Sequence, residues 1–125
     1  MSHKILIVED NENNRCLLRD ILTFHGHEVL VAADGQVGVA LARELMPDLI
    51  LMDIQMPGMD GMTATGILKG DPVTSGLKII ALTSFAMQGD QEKFLDAGFD
   101  GYLSKPINTR ELPVLVKQWL KEEHV

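Results

Sequence analysis

The sequence predicts an open, doubly wound α/β domain of five parallel strands and five helices. Three observations carry that prediction. Five short apolar runs recur along the 125 residues, and the longer stretches between them show helical spacing of apolar side chains. Each β–α repeat takes roughly 20 to 25 residues, enough for the right-handed crossover that joins parallel strands. Several of the apolar runs are continuous rather than alternating, as in strands buried on both faces.

The first strand is read at Lys4–Val8, and the stripe Leu17, Leu18, Ile21 and Leu22 marks the helix after it. The second strand is read at Glu28–Ala32, where Asp34-Gly35 breaks it and caps a second helix with the stripe Val37, Ala40, Leu41 and Leu45. Pro47 ends that helix, because the residue before a proline avoids the α region. The third strand is read at Asp48–Met52. A third helix begins after Gly61 and closes at Gly70-Asp71-Pro72. The fourth strand is read at Leu77–Leu82 and the fifth at Gly101–Leu103, and the repeat alone supplies the helix between them. The last helix is the plainest: Leu112, Leu115, Val116, Trp119 and Leu120 share one face, Asn108 can cap it, and Glu111 follows three residues on. No linker, low-complexity tract or internal repeat divides residues 1–125, so one domain is expected.

Composition narrows the class. A hydrophobic content of 46% is enough for a sizeable core. No run approaches the ~20 apolar residues of a bilayer span, and Met1-Ser2-His3-Lys4 leads straight into a strand without a secretory signal. A single cysteine, Cys16, cannot form an internal disulfide and points to the reducing cytoplasm. The formal charge of −7, with no concentration of Lys or Arg, argues against binding a nucleic-acid backbone.

The unusual polar residues fall at strand carboxyl ends, where open parallel sheets bind ligands. Glu9-Asp10 follow the first strand, Asp53 the third, Thr83-Ser84 the fourth and Ser104-Lys105-Pro106 the fifth. Taken singly, each has an ordinary reading as a helix cap, a turn former or a surface charge. Random capping would not gather them all at one edge. With the first and third strands adjacent, three carboxylates meet, and their repulsion calls for a hard cation with oxygen ligands. Mg²⁺ suits, with Mn²⁺ a second candidate. A carboxylate there can serve as nucleophile and become an aspartyl phosphate, while Lys105 and Thr83 share the phosphoryl oxygens.

At these residues the sequence resembles the receiver domains of two-component response regulators, the CheY-like superfamily. The stretches ILIVEDN (5–11), PDLILMDIQMPGMDG (47–61), ALTS (81–84) and GYLSKPI (101–107) carry the likeness. The resemblance implies a flavodoxin-like sheet of order 2-1-3-4-5 and Asp53 as phosphoacceptor. It implies Glu9 and Asp10 as the acidic pair at a Mg²⁺ site that Asp53 and the Gln55 carbonyl complete. Thr83 is then the switch hydroxyl, Tyr102 the switch aromatic and Lys105 the phosphate-contacting lysine, placed by a cis bond before Pro106. The implied donor is a histidine kinase or a histidine phosphotransfer protein. The implied output is a protein target on the face of the fourth helix, fifth strand and fifth helix, with the chain monomeric or dimerising on phosphorylation. Such a protein catalyses only its own phosphorylation and dephosphorylation.

The stretch 83–90 is similar to single-domain, DivK-like receivers and to receivers of hybrid sensor kinases. Glu9 departs from the more usual Asp by one methylene. The resemblance implies that the positions of Gln55 and Phe85 tune hydrolysis of the aspartyl phosphate, and an apolar Phe85 then predicts slow loss. Phe85, Ala86 and Met87 read as an apolar, adaptable surface or as core filling. Met52, Met56, Met59 and Met62 read as packing rather than a metal site, and His25 and His27 as a solvated helix end.

The remaining alternative is a pseudo-receiver that docks partners without carrying phosphate. A haloacid-dehalogenase-type hydrolase would carry its nucleophile on the first strand and a second Asp where Gln55 stands. A flavin carrier would need a phosphate-cradling loop. The start at Met1-Ser2-His3-Lys4 favours a stand-alone protein over a fragment cut from something larger.

Overall fold

The structure, a computed structural model, describes residues 3–84 and 88–121. Strands and helices alternate as β1 (Lys4–Val8), α1 (Glu12–Phe24), β2 (Glu28–Ala32), α2 (Gly35–Leu45), β3 (Leu49–Asp53), α3 (Gly61–Gly70), β4 (Ile79–Thr83), α4 (Gln88–Asp96), β5 (Gly101–Ser104) and α5 (Glu111–Lys121). All four pairings are parallel, and the sheet order is β2-β1-β3-β4-β5. The expected order 2-1-3-4-5 is therefore present. Phe85, Ala86 and Met87, on which the slow-hydrolysis and adaptable-surface expectations rest, lie outside the described residues.

Strand periodicity sorts the core into two layers. Leu6, Val8, Ile50, Met52, Ile79 and Ala81 point to one face and pack with Val39, Ala42, Ala64, Leu68 and Phe94. Ile5, Ile7, Leu49, Leu51, Ile80 and Leu82 point to the other and pack with Leu18, Leu22, Leu112, Val116 and Leu120. Each fully buried aliphatic side chain contributes about 1.5–3 kcal/mol, which drives the sheet between its helices. Met52 and Met56 are core residues, with Met59 and Met62 packed against them, as the packing reading expected.

Five strand boundaries, on β3, β4 and β5, shift toward the carboxyl edge, with β5 ending at Ser104 rather than Leu103. Residue 48 leaves β3 because its carboxylate accepts from the Lys4 amide at 2.8 Å. Asp53 and Thr83 join their strands, since Asp53 pairs with Leu82 and Thr83 with Ser104. Leu77 and Lys78 precede β4 rather than open it.

The stripe expected on α2 is also rotated. Gly35, Gly38, Val39 and Ala42 are buried, whereas Val37 and Ala40 face solvent. The cause is close packing on β1: a Cβ at Gly38 would lie 2.8 Å from Val8 Cγ2, so the helix meets the sheet through its smallest residues. On α1, Leu18 and Leu22 are buried but Leu17 is largely exposed.

Caps fix the helix starts. Asn11, Asp34 and Asp60 each accept a bond from the amide three residues on. The Asn108 side chain likewise accepts from the amides of Arg110 and Glu111. No described helix is long and apolar enough to cross a membrane.

Candidate functional site

The sheet delivers its polar residues to one edge. Glu9 directly follows β1, and its amide donates to the Ala32 carbonyl at 3.0 Å, extending the ladder one residue and turning its side chain inward. Asp53 ends β3 and Thr83 ends β4, and both are buried together with Glu9. Asp10 is exposed at the mouth. One carboxylate oxygen from each of Glu9, Asp10 and Asp53 lies within 4.8 Å of the others.

Lys105, one residue beyond β5, lies among them. Its Nζ is 3.2 Å from both Glu9 carboxylate oxygens and 3.1 Å from Asp53 Oδ1. Its amide donates to the Thr83 carbonyl at 2.7 Å, which registers the lysine against the end of β4. The Lys105–Pro106 bond is cis, as the resemblance implies. The Gln55 amide donates to Asp53 Oδ1 at 3.1 Å, while the Gln55 side chain is exposed. Tyr102 is half-buried on β5 with its ring 6.4 Å from that of Phe94, centroid to centroid.

Three contributors were not foreseen from the sequence. Asn14 Nδ2 donates to Glu9 Oε1 at 2.9 Å, and an Arg15 guanidinium nitrogen donates to the Glu9 carbonyl at 2.9 Å. Both lie in the first turns of α1, and the Asn11 cap that sets that helix's entry aims them back at β1. The signal available was their nearness to Glu9-Asp10, which does not distinguish them from solvated helix residues. Gly61 is the third. A Cβ there would lie 2.1 Å from the Asp53 carbonyl oxygen, so only glycine lets α3 start against the end of β3.

Electrostatics follow from this crowding. The Asp53 carboxyl is raised to about 6, first by burial and then by its contact with Glu9 and the Glu9 charge, with Lys105 opposing. For Lys105, burial works against the ammonium but is outweighed by Asp53 and Glu9, so its pKa is raised. Three converging carboxylates against one ammonium suit a hard divalent cation bound through oxygen. A carboxylate placed beside an ammonium in this way has the chemistry of a nucleophile.

The chain is similar to known proteins throughout. Residues 5–117 match the family described as the response regulator receiver domain. The polar-differentiation response regulator DivK of Brucella ovis is 42% identical over 120 residues, covering 96% of this chain and 98% of that protein. The receiver domain of a sensor histidine kinase from Pseudomonas aeruginosa, solved with a magnesium ion coordinated in its active-site cleft, superposes with a TM-score of 0.88. It is 37% identical over 97% of this chain and 99% of that one. A CheY-like receiver domain protein from Methanospirillum hungatei gives a TM-score of 0.88 at 33% identity, covering 98% and 96% of the two chains.

Proposed function

The chain belongs to the response regulator receiver domain family, and from that premise we propose that it accepts a phosphoryl group on Asp53 and converts the event into a change of its partner-binding surface. The observation that carries this reading is the position of Lys105, whose Nζ spans the buried Glu9 and Asp53 carboxylates at 3.1–3.2 Å.

In the proposed step an ionised Asp53 oxygen attacks phosphorus. The bond from phosphorus to the donor's imidazole nitrogen breaks, the imidazole departs with that electron pair, and an acyl phosphate remains. A carboxyl raised to about 6 is largely ionised at neutral pH, so the nucleophile is available. Lys105 needs only to exchange a carboxylate for a phosphoryl oxygen, and charge stabilisation of this kind is the main catalytic contribution in phosphoryl transfer. Glu9, Asp10, Asp53 and the Gln55 carbonyl would hold Mg²⁺. When bound, the ion neutralises the carboxylates and the charge on the phosphoryl oxygens. Thr83 would turn its hydroxyl to the new oxygens, and Tyr102 would follow into the space behind it. Phosphorylation shifts the balance between the two packings only by the difference in their contacts with the phosphate. The donor is a histidine kinase or histidine phosphotransfer protein, and the output face is formed by α4, β5 and α5.

The test is intact mass after incubation with acetyl phosphate and Mg²⁺. A single addition of about 80 Da, dependent on Mg²⁺ and absent in Asp53→Asn, is expected. No addition under any condition would leave the pseudo-receiver docking module as the reading.

A further inference from the structure

At the opposite edge of the sheet, a second cluster of titratable side chains lines a cavity of about 400 Å³. His3 precedes β1, His25 and His27 flank the turn from α1 into β2, and Lys117 and Lys121 project from α5, with Leu120 as an apolar wall. Among the described residues no carboxylate lines this cavity. In a chain of net charge −7, three of four histidines and two lysines meet at one point. The sequence reading of His25 and His27 as a solvated helix end holds for exposed His25 but not for His27. His27 is half-buried, its ring centroid is 6.1 Å from that of His3, and its buried Nδ1 has no hydrogen-bond partner.

Bringing like-charged groups together without a counter-charge is unfavourable by itself. Burial, then the charges of His3 and His25, lower the His27 pKa. A bound anion would reverse that cost, because it supplies the missing charge and an acceptor for a protonated Nδ1. A metal ion fits less well. Two ammoniums beside it would repel it, and among the described residues the one convergent group of three metal-ligating side chains is the acidic one.

From this geometry we propose that the cavity between the α1–β2 turn and α5 binds a small phosphomonoester-type dianion. Its tetrahedral head sits among His3, His27 and Lys117, and its organic part lies on Leu120. A volume of this size matches small-molecule sites. The site is separate from Asp53, since it lies at the amino ends of the strands.

Amide NMR titration of the full chain, with EDTA present and ionic strength held constant, tests this. The probes are glycerol 3-phosphate and inorganic sulfate. Saturable shifts centred on 25–27 and 117–121 are expected, unchanged in Asp53→Asn and weakened about fivefold or more by Lys117→Gln combined with Lys121→Gln, both exposed positions. Sulfate does not change charge near neutrality. Its affinity should rise severalfold as pH falls from about 8 to about 6, because the bound anion favours the protonated form of His27. Equivalent shifts with chloride, shifts confined to the Asp53 edge, or affinity independent of pH would each overturn the proposal. Saturation by Zn²⁺ with no response to either anion would do the same.

Discussion

At Asp53, folding and proton binding are coupled in a direction that fixes a measurable sign. Burial and then Glu9 raise the carboxyl from 3.8 to about 6, so the folded chain holds this proton more tightly than the unfolded one. The stability from this group is full below the unfolded value and is lost as pH rises through about 6. Above that, two pKa units leave a penalty of about 3 kcal/mol at most. Asp53→Asn removes the ionisation while keeping the side chain's shape. In metal-free protein it should therefore gain about 1–3 kcal/mol near pH 8, with the gain shrinking toward pH 4. Urea unfolding of both proteins across that range reads the difference, and a pH-independent gap would contradict the assignment. The residues gathered here, Glu9, Asp10, Asp53, Thr83 and Lys105, were legible in the sequence because each follows or ends an apolar run. Asn14 and Arg15 were not, because their contacts depend on the entry angle of α1 rather than on strand position.

Elements reach the site through close approaches that hydrophobic patterns do not encode. The stripe read on α2 counted large side chains, whereas the helix seats itself through Gly35, Gly38 and Ala42 because Val8 fills the space beneath. On α5 the packing is by large residues, and there the stripe and the Asn108 cap were both readable. At α3 the constraint bears on function. Gly61 donates its amide to the Ile54 carbonyl at 3.1 Å, and its Cα faces the Asp53 carbonyl oxygen. In Gly61→Ala the new methyl would press on backbone, which cannot rotate away as a side chain can. The expected loss is about 1–3 kcal/mol, typical of overpacking. The displaced end of β3 should also slow phosphoryl acceptance from acetyl phosphate, read as the rate of mass addition. Normal stability with a normal rate would mean that the turn after β3 has slack, and the close approach would then carry no function.

Across the whole molecule, the candidate site draws on the ends of β1, β3, β4 and β5, the strands that separate the two core layers. Fold class and strand order were legible because continuous apolar runs and crossover-length repeats leave few topologies open. The strand ends were less so, since ladder pairing rather than hydropathy decides whether a terminal Asp or Thr belongs to the strand. An ion held by Glu9, Asp10 and Asp53 binds only when β1 and β3 are paired at the centre of the sheet, and it should stabilise the entire fold rather than one loop. Linkage gives the size: at a concentration one hundred times the dissociation constant, the gain is about 2.7 kcal/mol. Mg²⁺ should therefore raise the urea midpoint of the wild type progressively while leaving the slope unchanged, because the surface exposed on unfolding is the same. In Asp53→Asn the response should fall sharply, since one of the three convergent carboxylates is gone. Ca²⁺ at equal concentration should help less, because two buried carboxylates and one exposed one supply few of the six to eight oxygens it favours. An equal rise in wild type and variant would place the ion elsewhere on this acidic surface and remove the metal from the proposed phosphoryl chemistry.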